Sequence, residues 1–440
     1  YTLSLHDALP IWRRMKNRKT FYAVVLCLLV ITMAFSGCGK KSSGSQTDED
    51  KTILIGGLYP LSGSMADSGK TMQFGINFAI DRINASGGIN GYQLKVVWGD
   101  SQGDSAVGMV EAERLINEEK VDIIMGAYQS SVTLTASQIG EQYGVPFITA
   151  NATSDALTAN GYQYFFRLAP TNMMFMRDMV AFGRSYSDAN SLDLKTMAIC
   201  ADNSEVGQQT IEWAKHFADE NDFTVVSIVT YSSGAADLTS EVLQLKDANA
   251  DVLIADQYVS DAILLTNTMA EQGYKPAIMI CKGNGYTEAS YAKAIGNGAN
   301  GISVATEFIE GAKGVEISDA FKEFSKEAMN GHSAEAFTVV YVIAEAAKNI
   351  LDAGGELTHD NIRDELIKIS IKDKFYDGTE IIMPYNVIEF CDGTTIGSYE
   401  YLHTNLAGKL TIGQFQGGNL VAVYPEDAAQ AEVIYPAAYE

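Results

Sequence analysis

One stretch limits this chain more than any other: Val121–Thr135, VDIIMGAYQSSVTLT. Val121, Ile123, Ile124 and Met125, interrupted only by Asp122, read as a strand buried on both faces of a parallel sheet. Gly126 ends the run, and Ser130 and Ser131 stand where a following helix takes its N-cap. A strand turning directly into a helix leaves backbone N–H groups open at the carboxyl end of the sheet, which suits an anion such as a carboxylate. The same residues also read as an ordinary strand-to-helix turn with a satisfied cap.

The pattern occurs twice. Asp122–Tyr128 (DIIMGAY) runs through a helical segment to Tyr143-Gly-Val-Pro146-Phe-Ile148, and Asp251–Tyr258 (DVLIADQY) runs likewise to Gly273-Tyr-Lys-Pro276-Ala-Ile278. The interval from Tyr to Pro is 18 residues in both. Two similar α/β lobes account for this; chance likeness between two common βα units is the alternative.

The first part of the chain reads as targeting sequence. Residues 1–14 have no usable periodicity and are set aside as a non-native leader. From Met15, the basic Lys16, Arg18 and Lys19 precede the apolar stretch Phe21–Phe35, which is shorter than the roughly 20 residues a spanning helix needs. It ends Phe35-Ser36-Gly37-Cys38, which resembles a bacterial lipobox with cleavage before Cys38 and lipid on its thiol. Residues 15–37 are thus expected to be a lipoprotein signal peptide. Residues 38–51, small, polar and charged after the cysteine, are expected to be a lipidated tether. The protein would then be extracytoplasmic, anchored to the bacterial cell membrane through Cys38.

The net charge of -24 argues against nucleic acid as a partner and for a self-repelling surface, consistent with a monomer. Residues 1–37 are net basic, so the remainder is more acidic still. Cys200, Cys281 and Cys391 are odd in number and lack CxxC spacing, so they define neither a disulfide framework nor a zinc site. Each is expected to act as a small buried apolar residue.

From Thr52 onward, strands alternate with helices of 10–15 residues, the mark of a doubly wound, mostly parallel sheet. The alternation restarts after Ala169-Pro170-Thr171-Asn172. The expected fold class is α/β, with two doubly wound Rossmann-like lobes joined by a multi-strand hinge. Lobe one comprises 52–170 and 307–380, and lobe two 171–306 and 381–440. Ile302–Thr306 reads as a strand leading back to lobe one, and Ile381–Met383 and Val387–Phe390 as strands of the C-terminal part. Such an arrangement leaves a cleft where two sets of strand carboxyl ends face each other.

No catalytic constellation is present. Gly296–Gly301 fits GxGxxG but follows a helix and precedes a strand, the reverse of the dinucleotide-binding context. There is no GxSxG, GxxxxGK[ST] or HExxH. His216, His332, His359 and His403 are scattered without ligand spacing, and most sit among charged residues, which reads as solvated surface. The chain is expected to be a binding protein rather than an enzyme, with no cofactor and no metal.

The ordered segments Pro60-Leu-Ser-Gly63, Asp81–Gly91 (DRINASGGING), Gly126–Ser131, Tyr143–Ile148, Phe166–Pro170 and Gln416–Pro425 together carry a resemblance. The region from Lys51 to about Pro425 resembles the type I periplasmic binding proteins, specifically the branched-chain amino acid (Leu/Ile/Val) binding family of ABC importers. The resemblance implies capture of an amino acid or related small carboxylate by closure of the lobes, and delivery to a membrane ABC permease. A ligand-sensing receptor subunit of the same fold is the alternative. It also implies a carboxylate site at Ser130, with Ser131 beside it, and at Thr153. Ammonium contacts would come from the carbonyl of Asn151 and the hydroxyl of Thr153, and a lobe-two aromatic from Tyr258. The family's acid, which pairs with the ammonium, falls on the uncharged Asn284, and aromatic pocket positions fall on Ser68 and Val206. For a ligand with an amine, Asp256 could supply the missing charge; otherwise it caps the next helix or bonds its own turn.

Overall fold

The computed structural model describes residues 51–437. Two sheets organise them. The first has strand order β2-β1-β3-β4-β5, from β1 (Thr52–Tyr59), β2 (Gln93–Asp100), β3 (Ile123–Gly126), β4 (Phe147–Thr149) and β5 (Phe165–Arg167). All its pairings are parallel. The second takes in β6 (Thr196–Asp202), β7 (Thr224–Tyr231), β8 (Val252–Asp256), β9 (Ile278–Lys282) and β10 (Ser303–Thr306). These five are parallel, and their order is β10-β9-β8-β6-β7.

Two short ribbons follow in sequence, β11 (Ser370–Lys372) with β12 (Val387–Glu389), and β13 (Thr394–Ile396) with β14 (Tyr399–Tyr401). β15 (Thr411–Gln416) and β16 (Asn419–Tyr424) then extend the second sheet antiparallel from β10.

Both faces of each sheet are covered, which is why β3, β8 and β9 are buried throughout and, up to Asp256 and Lys282 at the ends of the last two, apolar rather than alternating. On one face of the first sheet lies Gly331–Asp352, a helix apolar almost all round and buried accordingly. On its other face, Leu115 and Ile139 pack against Ile124 and Phe147. The second sheet is sandwiched between a cluster around Met176, Phe182 and Trp213 and another around Leu245, Leu265 and Tyr291. Cys200 and Cys281 are buried in the latter, as expected of small apolar residues, and burial pushes the Cys200 thiol up to about 12.

Three details differ from the sequence reading. The strand at Ser303–Thr306 lies inside the second sheet between β9 and β15, rather than returning to the first lobe. Ile381, Ile382, Met383, Tyr385, Ile388 and Phe390 are buried in the first lobe's core, so the 381–440 block does not belong wholly to lobe two. Ile381–Met383 is not a strand; its side chains fill the space beside the Gly331–Asp352 helix without pairing.

The lobes are joined by segments that bond side by side. Arg167 N–H donates to the His403 carbonyl at 2.9 Å and the Asn405 N–H to the Arg167 carbonyl at 2.9 Å, while His403 N–H reaches the Cys391 carbonyl at 2.8 Å. Arg167 is fully buried at this crossing, where burial lowers its pKa and Asp155 opposes that shift.

Candidate functional site

The strand ends build the site. β3 stops at Gly126, whose φ of +156° and close approach to β1 exclude a side chain: a Cβ there would lie 2.3 Å from the Leu58 carbonyl oxygen. The chain then passes Ala127 and Tyr128 into the helix Ser130–Tyr143, which Gly144 closes in a left-handed conformation. Gln129, not a serine, occupies the N-cap, and its side chain makes no capping bond. Ser130 is the first helical residue and its hydroxyl turns instead to the neighbouring loop, accepting from Ser154 N–H at 3.1 Å. Ser131 is exposed and joins none of these contacts.

β4 ends at Thr149, and the loop beyond it carries Asn151 and Thr153, both buried. Asn151 points its side chain away from Ser130, donating to Glu335 Oε2 at 2.7 Å and to the His332 carbonyl at 3.3 Å. Thr153 faces lobe two. Its hydroxyl accepts from Lys282 Nζ at 2.9 Å, a direct bond between the ends of the two sheets.

From lobe two, β8 delivers Asp256 and Tyr258, and β9 delivers Lys282 and Asn284. Asp256 is fully engaged. Oδ1 accepts from Asn284 Nδ2 at 2.6 Å; Oδ2 accepts from Thr210 Oγ1 at 2.6 Å and from Lys282 Nζ at 3.4 Å. It caps nothing: the helix Val259–Glu271 has Tyr258 at its N-cap, without a side-chain bond. Lys282 also donates to Asn172 Oδ1 at 2.6 Å and lies 5.2 Å from the centre of the Phe175 ring. Tyr258 meets Tyr128 edge-to-face across the lobes, with ring centres 5.7 Å apart. Ser68 is buried and hydrogen-bonded to Tyr128, one ring of this pair.

A second set of contacts closes the other side. His332 Nδ1 lies 2.9 Å from Glu288 Oε1, and the Tyr128 ring stands against the imidazole at 5.0 Å. Burial alone would lower the His332 pKa; the hydrogen bond and charge of Glu288, with Glu307 behind, outweigh it and hold it above its ordinary value. Glu335 is pushed well up by burial and by the charge of Glu307, and Glu307 is itself raised by burial. Glu335 Oε1 and Asn151 Oδ1 are buried without a hydrogen-bond partner. A cavity of about 220 Å³ opens beside Thr71, Thr287, Glu288 and Asn330 at the seam of the lobes.

Among the predicted residues, Thr153, Asp256 and Asn284 meet in one hydrogen-bonded network, and Ser130 adjoins it through the Ser154 loop. Asn151 belongs to the Glu335 side and Tyr258 to the aromatic contact. Lys282 and His332 were not singled out from sequence. His332, expected on a solvated surface, is 3% exposed, because lobe two covers the start of its helix. For Lys282 a signal existed: it directly ends a wholly buried apolar run, Ile278–Cys281. Among the described residues no group of His, Cys, Asp and Glu is arranged to hold a metal ion. Cys38 lies outside the described residues.

A family model described as "Periplasmic binding protein" matches residues 52–391. The Leu/Ile/Val-binding protein homolog 8 of Brucella abortus (strain 2308) is 30% identical over 397 residues, covering 87% of this chain and 92% of the relative. Among solved structures, the branched-chain amino acid transporter substrate-binding protein LivJ from Streptococcus pneumoniae, in complex with isoleucine, superposes with a TM-score of 0.70 at 23% identity. The match covers 88% of this chain and 100% of that one. A solute-binding protein of an ABC transporter from Rhodopseudomonas palustris BisB5, in complex with 3,4-dihydroxy benzoic acid, gives a TM-score of 0.69 at 17% identity over 86% and 98% of the chains. Two doubly wound lobes, strand ends facing each other across a seam, and a family match over most of the described residues lead to one assignment: the chain belongs to the periplasmic binding protein family, a family of substrate-binding proteins rather than enzymes.

Proposed function

We propose that this chain is the extracytoplasmic solute-binding lipoprotein of an ABC importer, and that it captures an amino acid or related small carboxylate between its lobes by hinge closure. The observation that carries the reading is the Ser130–Thr153 pair at the carboxyl ends of β3 and β4, facing the ends of β8 and β9. The ligand docks on lobe one through the Ser130 and Thr153 hydroxyls, with Asn151 at the edge of the site. Lobe two then closes over it with Tyr258, Asp256 and Asn284, and excluding water strengthens every polar contact made to it. The closed form is the one a membrane permease recognises. Lipid on Cys38 keeps the monomer beside that permease. Among the described residues no helix is long and apolar enough to cross a membrane.

The range of ligands carried by relatives, from isoleucine to 3,4-dihydroxy benzoic acid, supports a carboxylate as the common element. The test is a thermal-shift screen across amino acids, small amides and organic acids. Ligand at about 100 times its Kd adds about 2.7 kcal/mol of stability by mass action, a readily measured rise in Tm. Stabilisation by no carboxylate in the screen would count against the reading.

A further inference from the structure

We infer that Lys282 is the specificity-determining residue of this site: its ammonium meets the ligand's anionic group from lobe two, so the ligand is a small organic acid that needs no amine. This inference rests on the proposed cleft function and narrows it to one chemical class.

The placement of Lys282 carries the argument. Its side chain has no exposure to solvent. A buried ammonium is costly unless it is paired or hydrogen-bonded, so where it points reveals what the site is built around. Two of its three polar contacts are short and go to neutral oxygens, Thr153 Oγ1 at 2.9 Å and Asn172 Oδ1 at 2.6 Å. Its contact with a carboxylate, Asp256, is the longest of the three at 3.4 Å. Asp256 takes closer bonds from Thr210 and Asn284, both at 2.6 Å. Neutral donors thus hold the carboxylate, and the cation extends past it, across the seam, onto the lobe-one hydroxyl proposed to receive the ligand's carboxylate.

An anion arriving between Ser130 and Thr153 therefore meets a full positive charge already in hydrogen-bond range of that hydroxyl. Charge-assisted bonds are about twice as strong as neutral ones, and more so in a dry site. The same charge works against a ligand amine at Asp256. An ammonium there would have to displace Lys282 or sit beside it, and like charges at that distance repel. Asp256 consequently reads as the residue that orients Lys282 with help from Asn172 and Thr210, not as the acceptor of a ligand cation.

The experiment uses matched triplets on the full chain: leucine, 4-methylpentanoate and 3-methylbutylamine, then phenylalanine, 3-phenylpropanoate and 2-phenylethylamine. Thermal shift and calorimetry are read for the parent, Lys282→Met, Lys282→Arg, Asp256→Asn and Ser130→Ala. The expected result is binding of amine-free acids, none of the amines, a loss of at least about tenfold in acid affinity in Lys282→Met, and partial retention in Lys282→Arg. Asp256→Asn, which keeps the ammonium and removes the carboxylate that orients it, should leave the preference for acids over amines in place. A merely structural Lys282 would lower Tm without changing the choice between acid and amine. Binding of amino acids but not of amine-free acids overturns the inference, as does a loss of affinity confined to Asp256→Asn, or no stabilisation by any acid. If Lys282→Met does not fold, the Lys282→Arg and Asp256→Asn profiles decide. Acid binding weakened by Ser130→Ala but indifferent to Lys282 overturns this inference alone; acid binding indifferent to both residues removes the cleft reading itself.

Discussion

His332 of the first lobe and Glu288 of the second meet at 2.9 Å, Nδ1 to Oε1, with both side chains almost wholly buried. The imidazolium is favoured here: burial opposes it, but the bond and charge of Glu288 prevail and raise the pKa above 6.5. A histidine raised in the folded state stabilises fully below its unfolded value and loses that contribution as pH rises through its folded value. Glu335 and Glu307 act in the same direction. Burial raises both above the ordinary 4.5, so the folded form favours their protonated state and loses stability as they ionise. The chain should therefore melt at progressively lower temperature as pH is raised from about 5 to about 9. Glu335→Gln keeps an acceptor for Asn151 while removing the ionisation, and should flatten this slope and raise Tm at the alkaline end relative to the parent. Melts across that range check it; a slope unchanged by both Glu335→Gln and His332→Gln would refute the assignment.

Ser130 and Thr153 should each contribute about 1.5–3 kcal/mol to binding a carboxylate, the worth of a hydrogen bond to a charged group. Calorimetric titration of Ser130→Ala and Thr153→Ala with a ligand found by screening measures it. The two variants should differ in the absence of ligand. Ser130→Ala leaves the buried Ser154 N–H without its acceptor and should lower Tm, whereas Thr153→Ala removes one contact of Lys282 and leaves its other two. Normal affinity in both variants would mean that these hydroxyls serve the fold alone.

What the sequence disclosed and what it withheld follow from the range of the interactions. β3, β8 and β9 are readable because a strand buried on both faces is a near-continuous apolar run, and Gly126 is readable because only glycine clears Leu58. The doubling of the strand–turn–helix pattern gave two lobes for the same reason. The roles of Lys282 and His332 depend on which lobe faces them. Asn330, Ser333 and Glu335 surround His332 with polar residues, a local pattern of exposure that is overridden when lobe two covers the helix start. Asp256 reads as an acid at a strand end, but its meaning changes once Lys282, 26 residues away in sequence, is found beside it. Ile381–Phe390 has no sustained period, so nothing local assigned it to the first lobe's core.

Cys38 lies outside the described residues, and its expected lipidation has a direct test. In a bacterial host the parent chain should fractionate with membranes, and Cys38→Ser should release it into the soluble extracytoplasmic fraction or the medium. A lipid group with two or three chains holds a protein at a membrane where a single chain does not, so the change should be nearly complete. Membrane fractionation that persists in Cys38→Ser would remove the lipid anchor from the proposal. Ligand affinity should be the same for the released and anchored forms, because the site lies wholly within residues 51–437.

Gly285 controls the position of Tyr258. Its N–H donates to the Gln257 carbonyl at 3.0 Å, bringing the backbone after β9 directly against the backbone after β8. A Cβ at Gly285 would lie 2.3 Å from Val259 N and 2.5 Å from the Tyr258 carbonyl carbon. These are main-chain atoms, so no rotamer change can relieve the clash, and the two segments must separate. Overpacking of this kind costs about 1–3 kcal/mol. The displaced pieces carry Tyr258 on one side and Asn284 on the other, so Gly285→Ala should weaken ligand binding as well as lower Tm. Gly161→Ala supplies the comparison. Its φ is +65° with nothing within 4 Å of the added Cβ, so it introduces backbone strain without a clash. Gly161→Ala should cost about 1 kcal/mol of stability and leave affinity untouched. Melting curves and titrations of the two variants separate the effects: an affinity loss unique to Gly285→Ala ties the close approach of these loops to the site. Equal affinities would show that Tyr258 and Asn284 tolerate displacement and do not shape the ligand's surroundings.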